Sequence, residues 1–254
     1  MAVCYILLGS ICIALFMMFK NMDISANFLL ILGIITYILC IIITFTGRYA
    51  EGKGKLINIG NKLIRCELKP AEFIKEYELK KNAEDLVVKQ PSIEILHLVI
   101  TAYDLLDQRD KALETAEEMV AVADAKKKAF AKLLKASLLY SYDKFEEAEA
   151  LFVDVQKDKL DIISKNLANV IFKTERAKAL GDYKTVELCN LKLLESKFPK
   201  LDNLTKVVLN FQLGEIYEKM GENEKAFENY LFCANFGGET ALKVTAKERL
   251  KNMQ

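Results

Sequence analysis

The sequence is poor in the residues that carry most enzyme chemistry. It has one histidine, His97, among 254 residues, which leaves no set of imidazoles for a metal site and little for acid–base catalysis at neutral pH. Charge of one sign is missing as well. Lys and Arg number 36 against 35 Asp and Glu, a net charge of +1, so the overall basicity of a nucleic-acid-binding chain is lacking. The six cysteines form no C-x-x-C pair. Cys4, Cys12 and Cys40 fall in apolar runs, where a thiol acts as a small hydrophobe, and Cys66, Cys189 and Cys233 stand far apart. This pattern fits a reducing compartment without a disulfide framework or a zinc site. The three prolines, Pro70, Pro91 and Pro199, sit where helices are expected to begin or end. Tryptophan is absent. With heavy use of Lys, Ile and Asn, that is the usage expected of an AT-rich bacterial genome.

Charge is almost absent from the first 47 residues, where only Lys20 and Asp23 carry it. Residues 2–19 and 28–46 are two uncharged, largely apolar runs. A helix crossing a membrane needs about 20 apolar residues at about 1.5 Å each. The second run meets this, and the first is at the short end of the range. The eight residues between them, 20–27, permit only a tight turn, so 1–47 is expected to form a transmembrane helical hairpin. A cleaved signal peptide is the alternative for the first run, since Ser25 and Ala26 are small. Its n-region, however, lacks a basic side chain, and no A-x-A follows. Two core helices of a soluble protein would show an amphipathic stripe, which neither run has. Arg48, Lys53, Lys55, Lys62 and Arg65 follow the second run, against Lys20 alone in the turn. The asymmetry predicts a multi-pass protein of the cell membrane with its C-terminal part in the cytoplasm.

Residues 48–69 read as a basic juxtamembrane connector. Gly47, Gly52, Gly54 and Gly60 are expected to interrupt any long helix there. Leu56, Ile57, Ile59, Leu63 and Ile64 lie among the basic side chains. They form either a short amphipathic helix that touches an anionic membrane surface through Lys53, Lys55, Lys62 and Arg65, or the apolar cap of the next domain, with the charges serving only as topology signal.

From Pro70 onward apolar residues recur at steps of three and four, as in Ile93, Leu96, Ile100 and Tyr103, or Val207, Phe211, Gly214 and Tyr217. This predicts successive helices and no strands. An internal repeat underlies them. Gly214, Tyr217, Gly221, Ala226 and Tyr230 mark its clearest copy, and Ala136, Ala148 and Phe152 keep the same phase. So do Tyr103 and Ala112. Gly181, Asp182 and Tyr183 mark a turn before Val186. Ala112, Ala148, Val186 and Ala226 recur in this phase at spacings of 36, 38 and 40 residues.

This pattern resembles the tetratricopeptide repeat, whose usual period is 34. The resemblance covers roughly residues 90–240 and is strongest in the last copy. It departs from the family at Ile100, where a small residue is expected, and at Thr174 and Ala177, where a small residue and Tyr are expected. It implies an all-α fold: about four antiparallel helix pairs over 93–240 stacked as a solenoid, a helix at 70–84 before them, and a polar capping helix at 239–252. It also implies a partner-binding concave groove lined by His97, Thr101, Asp104, Leu133, Ser137, Tyr140, Glu175, Lys178, Phe211, Glu215 and Glu218. The family's carboxylate clamp of Lys and Asn is missing, because those positions hold His97, Thr101, Leu133 and Ser137. The mixed polar, aromatic and acidic surface suits a helix or an extended, partly basic peptide.

No chemistry competes with that reading. Gly52-Lys53-Gly54-Lys55 lacks the spacing of a phosphate loop, and Leu56 follows instead of Ser or Thr. Carboxylates such as Glu114, Glu117, Glu118, Glu146, Glu147 and Glu149 fall on helices, where they pair with lysines in solvent. Lys126, Lys127 and Lys128 read as a solvated turn. No catalytic residue, metal, cofactor, nucleic acid or small-molecule substrate is expected. The expectation is a non-enzymatic, membrane-anchored scaffold for a protein or peptide. The other reading is a subunit or assembly factor of a larger membrane complex that binds through its hairpin, using Gly9, Ser10 and Gly33, with Ser10 and Ala14 in small-x-x-x-small spacing.

Overall fold

The change from apolar to mixed composition near residue 50 takes place inside one helix. The computed structural model describes residues 26–156, 160–196 and 200–253, those before 34 by backbone alone. Helix α1 runs Ala26–Gly60 and passes directly into a π-helical turn, Asn61–Cys66. The break expected at Gly47, Gly52 and Gly54 is therefore absent, and residues 48–66 are helical rather than a connector. Glycine costs about 1 kcal/mol relative to alanine in a helix interior, and at Gly47 and Gly54, where nothing lies within 4 Å of a Cβ, the helix bears that cost without a packing contact. At Gly60 the packing is explicit: a Cβ there would stand 2.7 Å from Leu98 Cδ1 and 2.9 Å from Phe73 Cε2. Leu56 and Ile64, one step of four to either side, are fully buried. Of the two readings of this segment, the apolar cap of the following domain describes where these side chains lie.

The chain divides into two compact units between Gly52 and Lys53. In the first, α1 exposes Ile34, Tyr37, Ile41, Ile42 and Phe45. Among the described residues one helix is long and apolar enough to cross a membrane, in a stretch beginning at Ile34. The expected first span, the turn after it, Gly9, Ser10 and Ala14 lie outside the described residues, as does Pro199.

The second unit is built wholly of helices among the described residues. After α2 (Pro70–Asn82) and α3 (Leu86–Lys89) come α4 (Ile93–Leu105) and α5 (Arg109–Val122), then α6 (Lys128–Ser141) and α7 (Phe145–Gln156). Helix α8 (Ile162–Ile171) continues through a second π-helical turn, Phe172–Arg176, into α9 (Ala177–Ala179). It is followed by α10 (Tyr183–Glu195), α11 (Asn203–Met220), α12 (Asn223–Phe236) and α13 (Ala241–Asn252). Pro70 opens α2 at a position that needs no N–H. Helices α4 and α5, α6 and α7, and α11 and α12 pack on each other, and α13 covers α12. Leu96, Ala116, Met119 and Ala131 form one buried cluster, and Leu133, Ala136, Phe152, Val155 and Ile171 another.

The four turns between paired helices share one backbone geometry. Asp107, Asp143, Gly181 and Gly221 all have positive φ, between 54° and 77°. The next residue in each case donates its N–H to the carbonyl five positions back, at 2.9 Å: Gln108 to Tyr103, Lys144 to Leu139, Asp182 to Ala177, and Glu222 to Tyr217. This is the Schellman closure of a helix. Five residues after each left-handed position stand Ala112, Ala148, Val186 and Ala226, at most 1% exposed. The repeat read from side chains thus recurs in the backbone at the same spacings. Aspartate holds the left-handed position in the first two copies, which its short polar side chain tolerates.

The end of α1 links the first helices of this unit to the last. The π-helical turn 61–66 packs on α2, α4 and α11. Arg65 Nη1 meets Asp202 Oδ2 at 3.1 Å, Asn203 Nδ2 donates to the Cys66 carbonyl at 2.6 Å, and Glu239 N–H donates to the Leu68 carbonyl at 2.8 Å. Two glycine substitutions separate propensity from packing. Nothing lies within 4 Å of a Cβ at Gly54, whereas at Gly214 it would stand 2.7 Å from Tyr230 Cε1, a fully buried ring. Gly54→Ala should stabilise the unit by about 0.5–1 kcal/mol and Gly214→Ala should destabilise it by about 1 kcal/mol or more, read as opposite shifts of the thermal midpoint.

Candidate interaction groove

Six of the residues expected in the groove come together. Asp104 from α4, Ser137 from α6, Glu175 from the second π-helical turn, Lys178 from α9, and Phe211 and Glu215 from α11 line one cavity of about 350 Å³. A smaller one of about 230 Å³ shares Glu175, Lys178 and Glu215 and reaches the edge of Tyr140. Leu105, Leu138, Val208 and Leu242 supply apolar wall to the larger cavity.

Its polar groups form a connected set. Lys178 Nζ donates to Glu215 Oε2 at 2.5 Å. Gln212 Nε2 donates to Glu175 Oε1 at 3.0 Å, while Asn190 Nδ2 donates to Gln212 Oε1 at 3.1 Å. Burial raises the Glu175 carboxyl above the ordinary range, against the lowering effect of Lys178. Desolvation by the walls also raises Asp104, although the Tyr142 hydroxyl donates to it at 2.7 Å. The Arg109 guanidinium lies 5.2 Å above the Tyr142 ring. Four carboxylates (Asp104, Asp107, Glu175 and Glu215) thus face two cations, Arg109 and Lys178. The π-helical turn departs locally from the α-helical register. It gives Glu175 to the cavity, while Arg176 forms a forked pair with Glu149 at 2.7–3.1 Å. Tyr142, Gln212 and Arg109 were missed by the sequence reading. Tyr142 and Arg109 stand at helix ends, and Gln212 lies one residue off the periodic face, so periodicity carried no signal for them.

The other expected groove residues are placed elsewhere. Leu133 is fully buried and belongs to the core. Tyr140 is 5% exposed, its ring against Phe152 and its hydroxyl donating to Glu149 at 2.5 Å. Glu218 accepts from the Tyr230 hydroxyl at 2.9 Å and from Arg249 at 3.1 Å, and so ties α11 to α12 and α13. Thr101 turns its hydroxyl back to the His97 carbonyl at 2.8 Å. His97 lines a separate cavity beside the end of α1. The basic residues expected on a membrane surface mostly meet this chain's own carboxylates: Lys53 with Glu94 at 3.1 Å, Lys62 with Glu67 at 3.4 Å, and Arg65 with Asp202 at 3.1 Å. Lys55 is exposed. Helix α1 continues into the domain core here, which brings this face of it against α4 and the start of α11.

Among the described residues no group of three possible metal ligands occurs. Comparison of the chain with protein-family models, with curated proteins and with solved structures returned no match.

His97 yields a measurable pH dependence. Burial, aided by the nearby Arg65 charge, lowers its pKa from 6.5 to about 4. The folded ring is therefore neutral where the unfolded one takes up a proton. This stability is complete above pH 6.5 and is lost as pH falls from there toward 4, about 2 kcal/mol by pH 5. His97→Gln should remove that part of the acid loss. The ring resonances of the single histidine should titrate near 4 in a proton NMR experiment.

Proposed function

We propose that the chain is a non-enzymatic, membrane-anchored interaction protein. A tetratricopeptide-like helical array on the cytoplasmic side binds a polypeptide through the cavity shared by α4, α6, α9 and α11. The observation that carries this reading is convergence. Residues from four separate helices, singled out in the sequence by the phase that the tetratricopeptide resemblance implies, meet around one cavity with apolar walls and an acidic excess. The recurring left-handed turns at 36, 38 and 40 residues support a repeat array. The exposed apolar face of α1 supports the anchor, and the basic residues after it support a cytoplasmic domain. Confinement at a membrane raises the effective concentration of whatever the array holds, and it needs no chemistry.

The acidic balance suits a partner segment that is partly basic. An extended or helical segment would set a Lys or Arg near Glu175 and Asp104 and an apolar side chain against Phe211. Tyr140 is unsuitable as a probe of capture, because truncating a buried ring costs about 3–5 kcal/mol of stability by itself. Ser137 lines the cavity without a hydrogen bond that the fold requires.

A photoreactive residue at Ser137 in intact membranes should cross-link a polypeptide, and Ser137→Trp should weaken its capture about tenfold or more with the thermal midpoint almost unchanged. A second probe at Ile34, exposed on α1, discriminates the competing reading. Products from Ile34 alone would make the chain a subunit of a membrane complex and overturn the groove.

A further inference from the structure

The cavity that takes His97 has a different chemistry from the acidic one. It holds about 510 Å³, within the range of small-molecule sites. Its walls are Ile57, Ile93, Leu98 and Phe130, with Ile163 on the rim. His97 stands edge-on to Phe130, with ring centroids 6.2 Å apart.

Cations prevail at its mouth. Lys126 and Lys127 line it, and Lys53 lies one contact away. Asp124 accepts the backbone N–H groups of Lys126 and Lys127, and among the described residues the carboxylate paired with these ammonium groups is Glu94. It is shared by two of them: Lys127 bonds one oxygen at 2.8 Å and Lys53 the other at 3.1 Å. Against partial burial, Lys127 and Lys53 hold the Glu94 carboxyl well below its ordinary range. Deeper in, Arg65 is matched by Asp202. Asp161, the other acid of the lining, is occupied as the cap of α8 and accepts from the Ser164 N–H at 2.6 Å.

We propose that this cavity binds an anionic amphiphile, with a single acyl chain lying against Ile57, Leu98 and Phe130 and a carboxylate or phosphate head held by Lys126, Lys127 and Lys53. The walls decide between a hydrocarbon and a peptide. They are apolar side chains, where the acidic cavity offers Ser137, Glu175 and Gln212, so an extended peptide backbone laid against them would leave its own N–H and C=O groups without partners. An acyl chain brings no such groups. The neutral imidazole of His97 adds no charge at the apolar end. The inference is independent of the acidic groove, which lies on other residues.

The absence of tryptophan makes the test clean. Phe130→Trp places a single indole in the wall. The full chain would be reconstituted in phosphatidylcholine vesicles and titrated with dibromostearate, with a dibrominated lysophosphatidate, and with the methyl ester of dibromostearate, since bromine quenches a neighbouring indole. Saturable quenching is expected from at least one of the two acids. The tighter of them identifies whether carboxylate or phosphate is preferred, and the ester should need about tenfold more for the same effect. Lys126→Glu with Lys127→Glu should raise the half-saturating concentration of the acid about tenfold. Ile163→Trp, 66% exposed on the rim, is a second reporter that leaves the wall intact should Phe130→Trp unfold the domain. Quenching that is equal for acid and ester, or that rises only in proportion to vesicle bromine content, would overturn the proposal. So would no quenching of either indole.

Discussion

The close approach at Gly60 is the contact on which the domain's arrangement rests. With no side chain there, Phe73 and Leu98 come against the backbone of α1, and Leu56 and Ile64 are buried on either side of it. The end of a helix that begins in apolar sequence thereby becomes a core element of the helical domain. Its π-helical continuation then reaches α11, where Arg65 and Asn203 fasten it through Asp202 and the Cys66 carbonyl. An exposed ion pair contributes little on its own, about 0–1 kcal/mol. The apolar seat supplies the stability, and the polar contacts set the register of the first helices against the last.

Two cavities of different chemistry lie in the helical domain. Around Glu175 and Asp104, desolvated carboxylates outnumber cations and their acidity is weakened. Around Glu94 and His97 the sign is reversed, with a carboxylate held strongly ionised and an imidazole kept neutral. The two cavities differ because different side chains complete them. Helix α11 and the start of α13 close the acidic one. Residues 57–65 and the turn before α6 close the basic one. The two cavities therefore differ in the sign of the charge that lines them.

The parts legible in the sequence were those governed by short-range constraints. Ala112, Ala148, Val186 and Ala226 were readable because a helix crossing admits only small or compact side chains, and that demand recurs at a fixed distance from each turn. Asp104, Ser137, Glu175, Lys178, Phe211 and Glu215 were readable because the tetratricopeptide resemblance implies which face of each helix looks inward, and helical phase carries that face along the helix. The reading failed where phase met a neighbour it could not foresee. Leu133 and Tyr140 have the right phase, but the second helix pair is packed so that they enter the core. Glu218 is claimed by Arg249 from α13. His97 is separated from the other groove residues because the end of α1 stands beside it. Asp107 and Asp143 gave no turn signal, since aspartate adopts positive φ far less often than the glycines that mark the later copies.

The amino-acid sequence by itself determined the helical class, the apolar stretch at the start, the glycine-marked turns of the later copies and the small or compact residues that follow each turn. Each depends on hydrophobic period, local backbone preference or side-chain size, which act within a few residues. The tertiary structure alone decided that α1 would run through three glycines into the core, and which face of each helix would stay open. It also decided that six groove residues would meet while five would not. Those outcomes depend on packing between segments more than a hundred residues apart, such as Arg65 with Asp202, and there the free energy of burial outweighs the helix penalty of a glycine.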